Sequence, residues 1–264
     1  MRVAICYWGM TRSTRLIYET HYEKLFKPLK DAGILYDVYI HTWHVEQGNI
    51  IWGNISHIPI EYEEYQLLEP TKYRIDSQDE FLETLDFSDY YYQHEKDSEW
   101  SPDLLRNYLC GLESQKRVTN MCLESSTTYD AIIYIRPDVM LVTAFSIEWL
   151  YGLDYNTIRI PDSFHYGGYN DRCAIVHPKS CKLYSHRIDT AKEYRRNVKC
   201  IVSEIYMKYI LDTNFSNIEQ IRFNMLLVRP SGATIEWTVF ETDPEVMAQL
   251  FKSSHLEKRD HSVN

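Results

Sequence analysis

The chain has 264 residues, enough to bury a sizeable core in one large α/β domain. Asp plus Glu number 38 against 28 Lys plus Arg, a formal net charge of −10. That balance excludes non-specific nucleic-acid binding but leaves room for a local basic pocket that takes a phosphorylated small molecule. The 22 tyrosines and 6 tryptophans bury well and also stack on sugar or base rings. None of the six cysteines lies in a C-x-x-C pair, so reduced thiols and a cytoplasmic protein are expected. The apolar run over residues 3–8 is too short for a signal peptide, and no run approaches a membrane span.

Residues 2–8 read as a first strand that runs into Gly9-Met10-Thr11-Arg12-Ser13. Apolar positions Tyr18, Tyr22, Leu25, Phe26 and Leu29 predict a helix over residues 14–32, closed by Gly33. Backbone N–H groups at that helix start, with Arg12 beside them, suit a phosphate. Residues 36–43 form a second strand, parallel to the first because a helix joins them. His41 and His44 stand at its end without a third ligand and read as polar groups, not as a zinc site.

Residues 45–70 read as a long acidic connection with a short helix at 65–68, followed by a strand at 72–75 and a helix at 78–85. Residues 87–101 form a Tyr- and Asp-rich loop. A clear helix runs over 102–124, with Ser101 as cap and Pro102 at its first position. Gln115 on its inner face suits either a ligand or the core.

The run Ala131-Ile132-Ile133-Tyr134-Ile135 predicts a strand buried on both faces. Arg136-Pro137-Asp138 ends it, because proline cannot donate to a sheet ladder. A guanidinium and a carboxylate are thereby carried to the C-terminal lip of a central strand, where open α/β sheets bind ligands. Arg136 and Asp138, two apart on one face, can also simply pair. Further on, the pattern gives a helix at 145–151, strands at 157–161 and 173–176, and a helix at 178–191. It also gives a helix capped by Ser203, a strand at 223–228 ending in Arg229-Pro230, and a helix at 243–251. His165 to Arg172 is a polar loop with two glycines, and the tail at 252–264 reads as disordered.

No G-x-S-x-G, H-E-x-x-H, Walker A or G-x-G-x-x-G pattern is present, so hydrolase, zinc protease, ATPase and dehydrogenase chemistry lose ground. Arg12, Asp138, Asp171 and Glu204 stand at strand or helix ends. Such a set suits a diphosphate, with or without a divalent cation.

Four stretches in this order resemble the GT-A-like glycosyltransferases found in large DNA viruses and bacterial polysaccharide loci. They are residues 3–13, residues 37–43, the Tyr-Asp-to-Arg-Pro-Asp segment at 129–138, and Gly167-Gly168-Tyr169-Asn170-Asp171. The resemblance implies a single GT-A-like, Rossmann-like domain over residues 1–251, with a mostly parallel sheet. Its donor half would be residues 1–141 and its acceptor half residues 142–251. It implies a nucleotide-sugar donor held by Gly9, Thr11, Arg12, Ser13, Arg136 and Asp138, and a glycan or glycoprotein acceptor. It implies catalytic carboxylates at Asp171 and Glu204, with Asp171 favoured, and Mn²⁺ or Mg²⁺ at Asp138. Arg136-Pro137-Asp138 departs from the family's metal-binding Asp-x-Asp, because an arginine replaces the first carboxylate. Two other classes fit the same sheet: a non-catalytic carbohydrate-binding protein, and a sugar-phosphate nucleotidyltransferase.

Overall fold

A computed structural model describes residues 1–45, 62–91, 101–197 and 200–234. The expected helix at 243–251, the tail, most of the 87–101 loop and much of the acidic connection lie outside the described residues. The sheet strands are β1 (Arg2–Trp8), β2 (Leu35–His44), β3 (Lys72–Ser77), β4 (Ala131–Ile135), β6 (Thr157–Pro161), β7 (Cys173–Val176) and β8 (Asn217–Ile221). They form one sheet in the order β3-β2-β1-β4-β7-β6-β8. β1 runs parallel to β2 and β4, β2 to β3, and β6 to β8, whereas β7 is antiparallel to both β4 and β6. The fold is α/β with a mostly parallel, Rossmann-like sheet, as the alternation of elements predicts.

The apolar runs of β1 and β4 arise because both faces of the sheet are covered. Successive side chains of a strand point to opposite faces. Val3, Ile5 and Tyr7 accordingly join one apolar cluster with Leu25, Phe26 and Leu29. Ala4, Cys6 and Trp8 join another with Leu109, Leu112 and Val118. The six cysteines are free, and all but Cys200 are buried. Among the described residues no helix is long and apolar enough to cross a membrane.

The first helical segment departs from expectation. It is not one helix but a three-residue 3₁₀ turn (Thr14–Leu16), α1 (Tyr18–His21), a π-helical turn (Tyr22–Phe26) and α2 (Lys27–Asp31). Pro28 supplies the reason: it has no N–H and its ring crowds the carbonyl four residues back. That carbonyl, on Lys24, accepts instead from Phe145 N at 2.7 Å. Gly33 (φ +69°) closes α2 as foreseen, with Ile34 N donating to Leu29 O at 2.9 Å.

α3 (Gln78–Glu83) follows β3, and α4 (Pro102–Leu123) begins where the sequence places it, with Ser101 Oγ accepting from Leu104 N at 3.3 Å. Gln115 serves the core: its Oε1 accepts from the buried Arg187 at 2.7 Å. The expected helix at 178–191 is divided into a 3₁₀ turn, α5 (Cys181–Ser185) and α6 (Ile188–Asn197). Ser203 opens α7 (Ser203–Asn214) rather than capping it, because its hydroxyl donates to Glu204 and Val202 takes the cap position. Two short strands, β5 (Val139–Leu141) and β9 (Met225–Leu227), pair apart from the main sheet.

Candidate active site

Chain order departs from β1 to either side, towards β2 and towards β4. At such a switch point the loops leaving neighbouring strands diverge and open a crevice at their C-terminal ends. A cleft of about 550 Å³ lies there, lined by Trp8 and Gly9 after β1 and by Arg136 and Asp138 after β4. Four arginines (12, 136, 172 and 229) face it against three carboxyl groups (Asp138, Asp171 and Glu204).

Asp138 is the hub of the arginine side and is 2% exposed. Arg136 grips it through two bonds of 2.8 Å, Nε to Oδ1 and Nη2 to Oδ2. Arg12 Nη2 adds a third, to Oδ2 at 3.1 Å. Burial alone would push this carboxyl up; the charge and hydrogen bonds of Arg136, then the charges of Arg12 and Arg229, outweigh it and hold it well below the usual range. The pairing of Arg136 with Asp138 and their place in the cleft are both realised. The Arg136 guanidinium also stands over the Trp8 ring, 5.7 Å from its centroid.

The acid side is brought in by antiparallel pairing. Ile135 at the end of β4 sits opposite Cys173 at the start of β7, so the residues before β7 meet those after β4. Arg136 N donates to Arg172 O at 3.0 Å, which fixes Asp171 and Arg172 beside the Arg136 lip. The loop is tied rather than loose. Asn170 Nδ2 donates to Ser163 O at 2.8 Å, and Asn170 Oδ1 accepts from Arg172 N at 2.8 Å. Tyr169 N donates to Glu204 O at 2.9 Å, which seats the loop on the first turn of α7. Gly168 permits this approach, since a Cβ there would stand 1.9 Å from Glu204 O. Burial, then the negative charge of Asp171, raises the Glu204 carboxyl to about 7.

The residues expected to hold the donor divide. Gly9, Arg12, Arg136 and Asp138 line the cleft; Thr11 and Ser13 are buried and are not among its lining residues. Ser13 Oγ donates to Val228 O at 2.9 Å and so ties the turn to the segment after β9. Gly9 (φ +97°) makes the turn, but its N–H donates to Ser114 Oγ at 2.8 Å. That hydroxyl also meets His41 Nδ1 at 2.7 Å, and His41 Nε2 meets Asp76 at 3.1 Å. The turn after β1 leads into a three-residue 3₁₀ turn in place of a regular helix start. Arg12 is its contribution.

Several lining residues escaped the sequence reading: Trp8, Gln78, Arg172, Arg229 and Tyr166. Arg229-Pro230 repeats the Arg136-Pro137 pattern after a strand, a signal that could have marked Arg229. Trp8 Nε1 and Gln78 Oε1 are buried in the wall without a hydrogen-bond partner.

The residues at Asp138 do not fit a divalent cation. Such ions take several oxygen ligands, whereas both Asp138 oxygens accept from guanidinium groups. A cation bound there would meet two positive charges in place of further anions. Among the described residues no group of three His, Cys, Asp or Glu is placed to hold a metal.

No protein-family model matches the chain, and no curated protein sequence matches it. Its likeness is to solved structures of glycosyltransferases. The enzyme GlyE of Streptococcus pneumoniae TIGR4 aligns over 84% of this chain and 46% of its own, at 12% identity and a TM-score of 0.39. This chain thus spans less than half the length of that protein. The galactosyltransferase LgtC, in complex with donor and acceptor sugar analogues, aligns over 94% of this chain and 82% of its own, at 12% identity and a TM-score of 0.43. Mouse xyloside xylosyltransferase 1 aligns over 84% and 85%, at 10% identity and a TM-score of 0.41. The chain is similar to these three glycosyltransferases in fold.

Proposed function

We propose that this protein transfers a hexosyl or pentosyl group from a nucleotide-diphosphate sugar to a hydroxyl of a glycan or glycoprotein. The observation that carries the reading is the two-sided cleft: an arginine cluster on one wall and the Asp171–Glu204 pair on the other, at the sheet's switch point. The sequence resemblance set out above supports the same reaction.

In this reading the arginines hold the diphosphate, as planar guanidinium forks suit phosphate oxygens. Trp8 Nε1 and Gln78 Oε1, a donor and an acceptor left unpaired, serve the edge of the heterocycle. The bond from the anomeric carbon to the diphosphate oxygen breaks, and its electron pair leaves with the diphosphate. The acceptor oxygen bonds to that carbon and passes its proton to a carboxylate. An efficient base has a pKa near the working pH, which favours Glu204, raised to about 7, over Asp171. Asp171 sustains that basicity through its charge.

The test is a screen of nucleotide-sugars against the purified protein, reading release of the nucleoside diphosphate, with Glu204→Gln and Asp171→Asn as controls. Turnover lost in both variants with donor binding retained is the expected result. Turnover unchanged in both would remove the acid pair from the chemistry. Binding of glycans with no binding of any nucleotide-sugar would favour a carbohydrate-binding protein instead.

A further inference from the structure

We infer that the diphosphate in this cleft is held by arginine alone, with Asp138 acting as the fixed counter-charge that aligns Arg136 and Arg12 instead of as a ligand to a divalent cation. The inference rests on the donor reading above. Three observations carry it.

The first is occupancy. Both Asp138 oxygens are engaged, by three guanidinium bonds of 2.8, 2.8 and 3.1 Å. These bonds take three of the carboxylate's roughly four acceptor sites, so a metal ion would have to share what remains with two guanidinium groups, or displace them, at a residue 2% exposed. Two guanidinium groups would then be left beside the cation in a region of low dielectric, where like charges repel strongly.

The second is the charge balance of the walls. Four arginines oppose three carboxyl groups, so the cleft is net positive without any added ion. Arg229 acts on Asp138 from the segment after β9, and Arg172 sits beside Asp171. The third is an unsatisfied donor. Arg12 lines the cleft, yet its Nε is buried without a hydrogen-bond partner. A buried N–H without an acceptor is costly, and an anionic oxygen in the cleft would offset that cost.

The chemistry closes without a cation. When the bond from the anomeric carbon to the diphosphate breaks, its electron pair stays on the leaving oxygen and the diphosphate gains one negative charge. Guanidinium donors held in place beforehand stabilise that charge without reorganising. Pro137 contributes by holding Arg136 extended at the strand end. The carboxylate sets the fork's plane, so Asp138 is a positioning residue in this scheme.

Calorimetric titration with inorganic pyrophosphate, UDP and GDP tests this, each in EDTA and each in Mn²⁺ or Mg²⁺. Expected is binding of pyrophosphate and of at least one nucleotide with affinities within about twofold across the three conditions. Arg136→Ala should weaken both by about tenfold or more, and Arg136→Lys should recover only part, since lysine keeps the charge but not the fork. Circular dichroism of each variant separates a folding defect from a binding one. Diphosphate binding that appears only with the metal, and disappears in Asp138→Asn, would overturn the inference while leaving the donor reading intact. No binding of any diphosphate in any condition would overturn both.

Discussion

Replacing Gly168 with alanine is the sharpest probe of how the two walls are joined. The new Cβ would stand 1.9 Å from Glu204 O, 2.1 Å from Glu204 C and 2.5 Å from Ile205 N. All three are main-chain atoms at the head of α7, so no side-chain rotation relieves the clash. Real Cβ contacts essentially never fall below 3.0 Å, so the 165–172 loop and α7 must part by roughly 1 Å. The Tyr169 N to Glu204 O bond of 2.9 Å then fails. Losing one such bond costs about 1 kcal/mol net, and overpacking adds about 1–3 kcal/mol. The summed destabilisation is about 2–4 kcal/mol, readable as a lower urea midpoint at constant slope. Catalysis should suffer more, because a displacement near 1 Å of a reacting group can cost about 100-fold. Pyrophosphate binding, which rests on Arg136, Arg12 and Asp138, should stay within about twofold. Wild-type turnover together with wild-type stability in Gly168→Ala would refute the claim that this approach sets the position of Glu204.

Three other perturbations follow from the same geometry. Asp138→Ala leaves Arg136 and Arg12 without their shared anion, so a loss of about 3–5 kcal/mol is expected in thermal or urea unfolding; an unchanged midpoint would show that the cluster is not coupled to the fold. Because Glu204 is raised from 4.5 to about 7 in the folded protein, its proton is held after the unfolded chain has lost its own. Stability should therefore fall as pH rises from about 4.5 to about 7, by at most about 3 kcal/mol, and Glu204→Gln should flatten that slope. Turnover should rise with pH as the base ionises around pH 7 and level off above it, and a flat pH profile would exclude Glu204 as the base. Trp8→Phe keeps an aromatic ring but removes the Nε1 donor together with part of the indole; nucleoside diphosphate affinity should drop by about 3–10-fold with pyrophosphate affinity unchanged. Equal losses for both ligands would place Trp8 at the phosphates instead.

The opening turn was the least legible part of the site. Gly9-Met10-Thr11-Arg12-Ser13 suits a phosphate on pattern, because backbone N–H groups at a helix start stand beside Arg12. Its amide and hydroxyl partners come from distant segments: Ser114 lies 105 residues from Gly9, and Val228 lies 215 residues from Ser13. Local pattern carries no information about which remote acceptor reaches a donor first. The helix expected over residues 14–32 runs through Pro28 without weighing it as a disruptor, and the carbonyl that proline leaves free, on Lys24, accepts from Phe145 N.

The residue pattern by itself marked every strand of the main sheet except β8 (Asn217–Ile221), whose polar, half-exposed edge sequence carries no apolar signal. β1, β4 and β7 are mainly short runs of apolar residues bounded by glycine, proline or charge, and burial on both faces requires that pattern. It also placed Arg136-Pro137-Asp138 at a strand lip, because proline cannot continue a ladder. Tertiary structure alone decided what that lip does. The antiparallel turn of β7 brings Asp171 and Arg172 to it, and the Gly168 approach brings Glu204. Arg12 arrives from 126 residues away to share the Asp138 carboxylate. Whether Asp138 faces a metal ion or a pair of guanidinium groups depends on which charges the fold assembles around it, and strand periodicity cannot encode that.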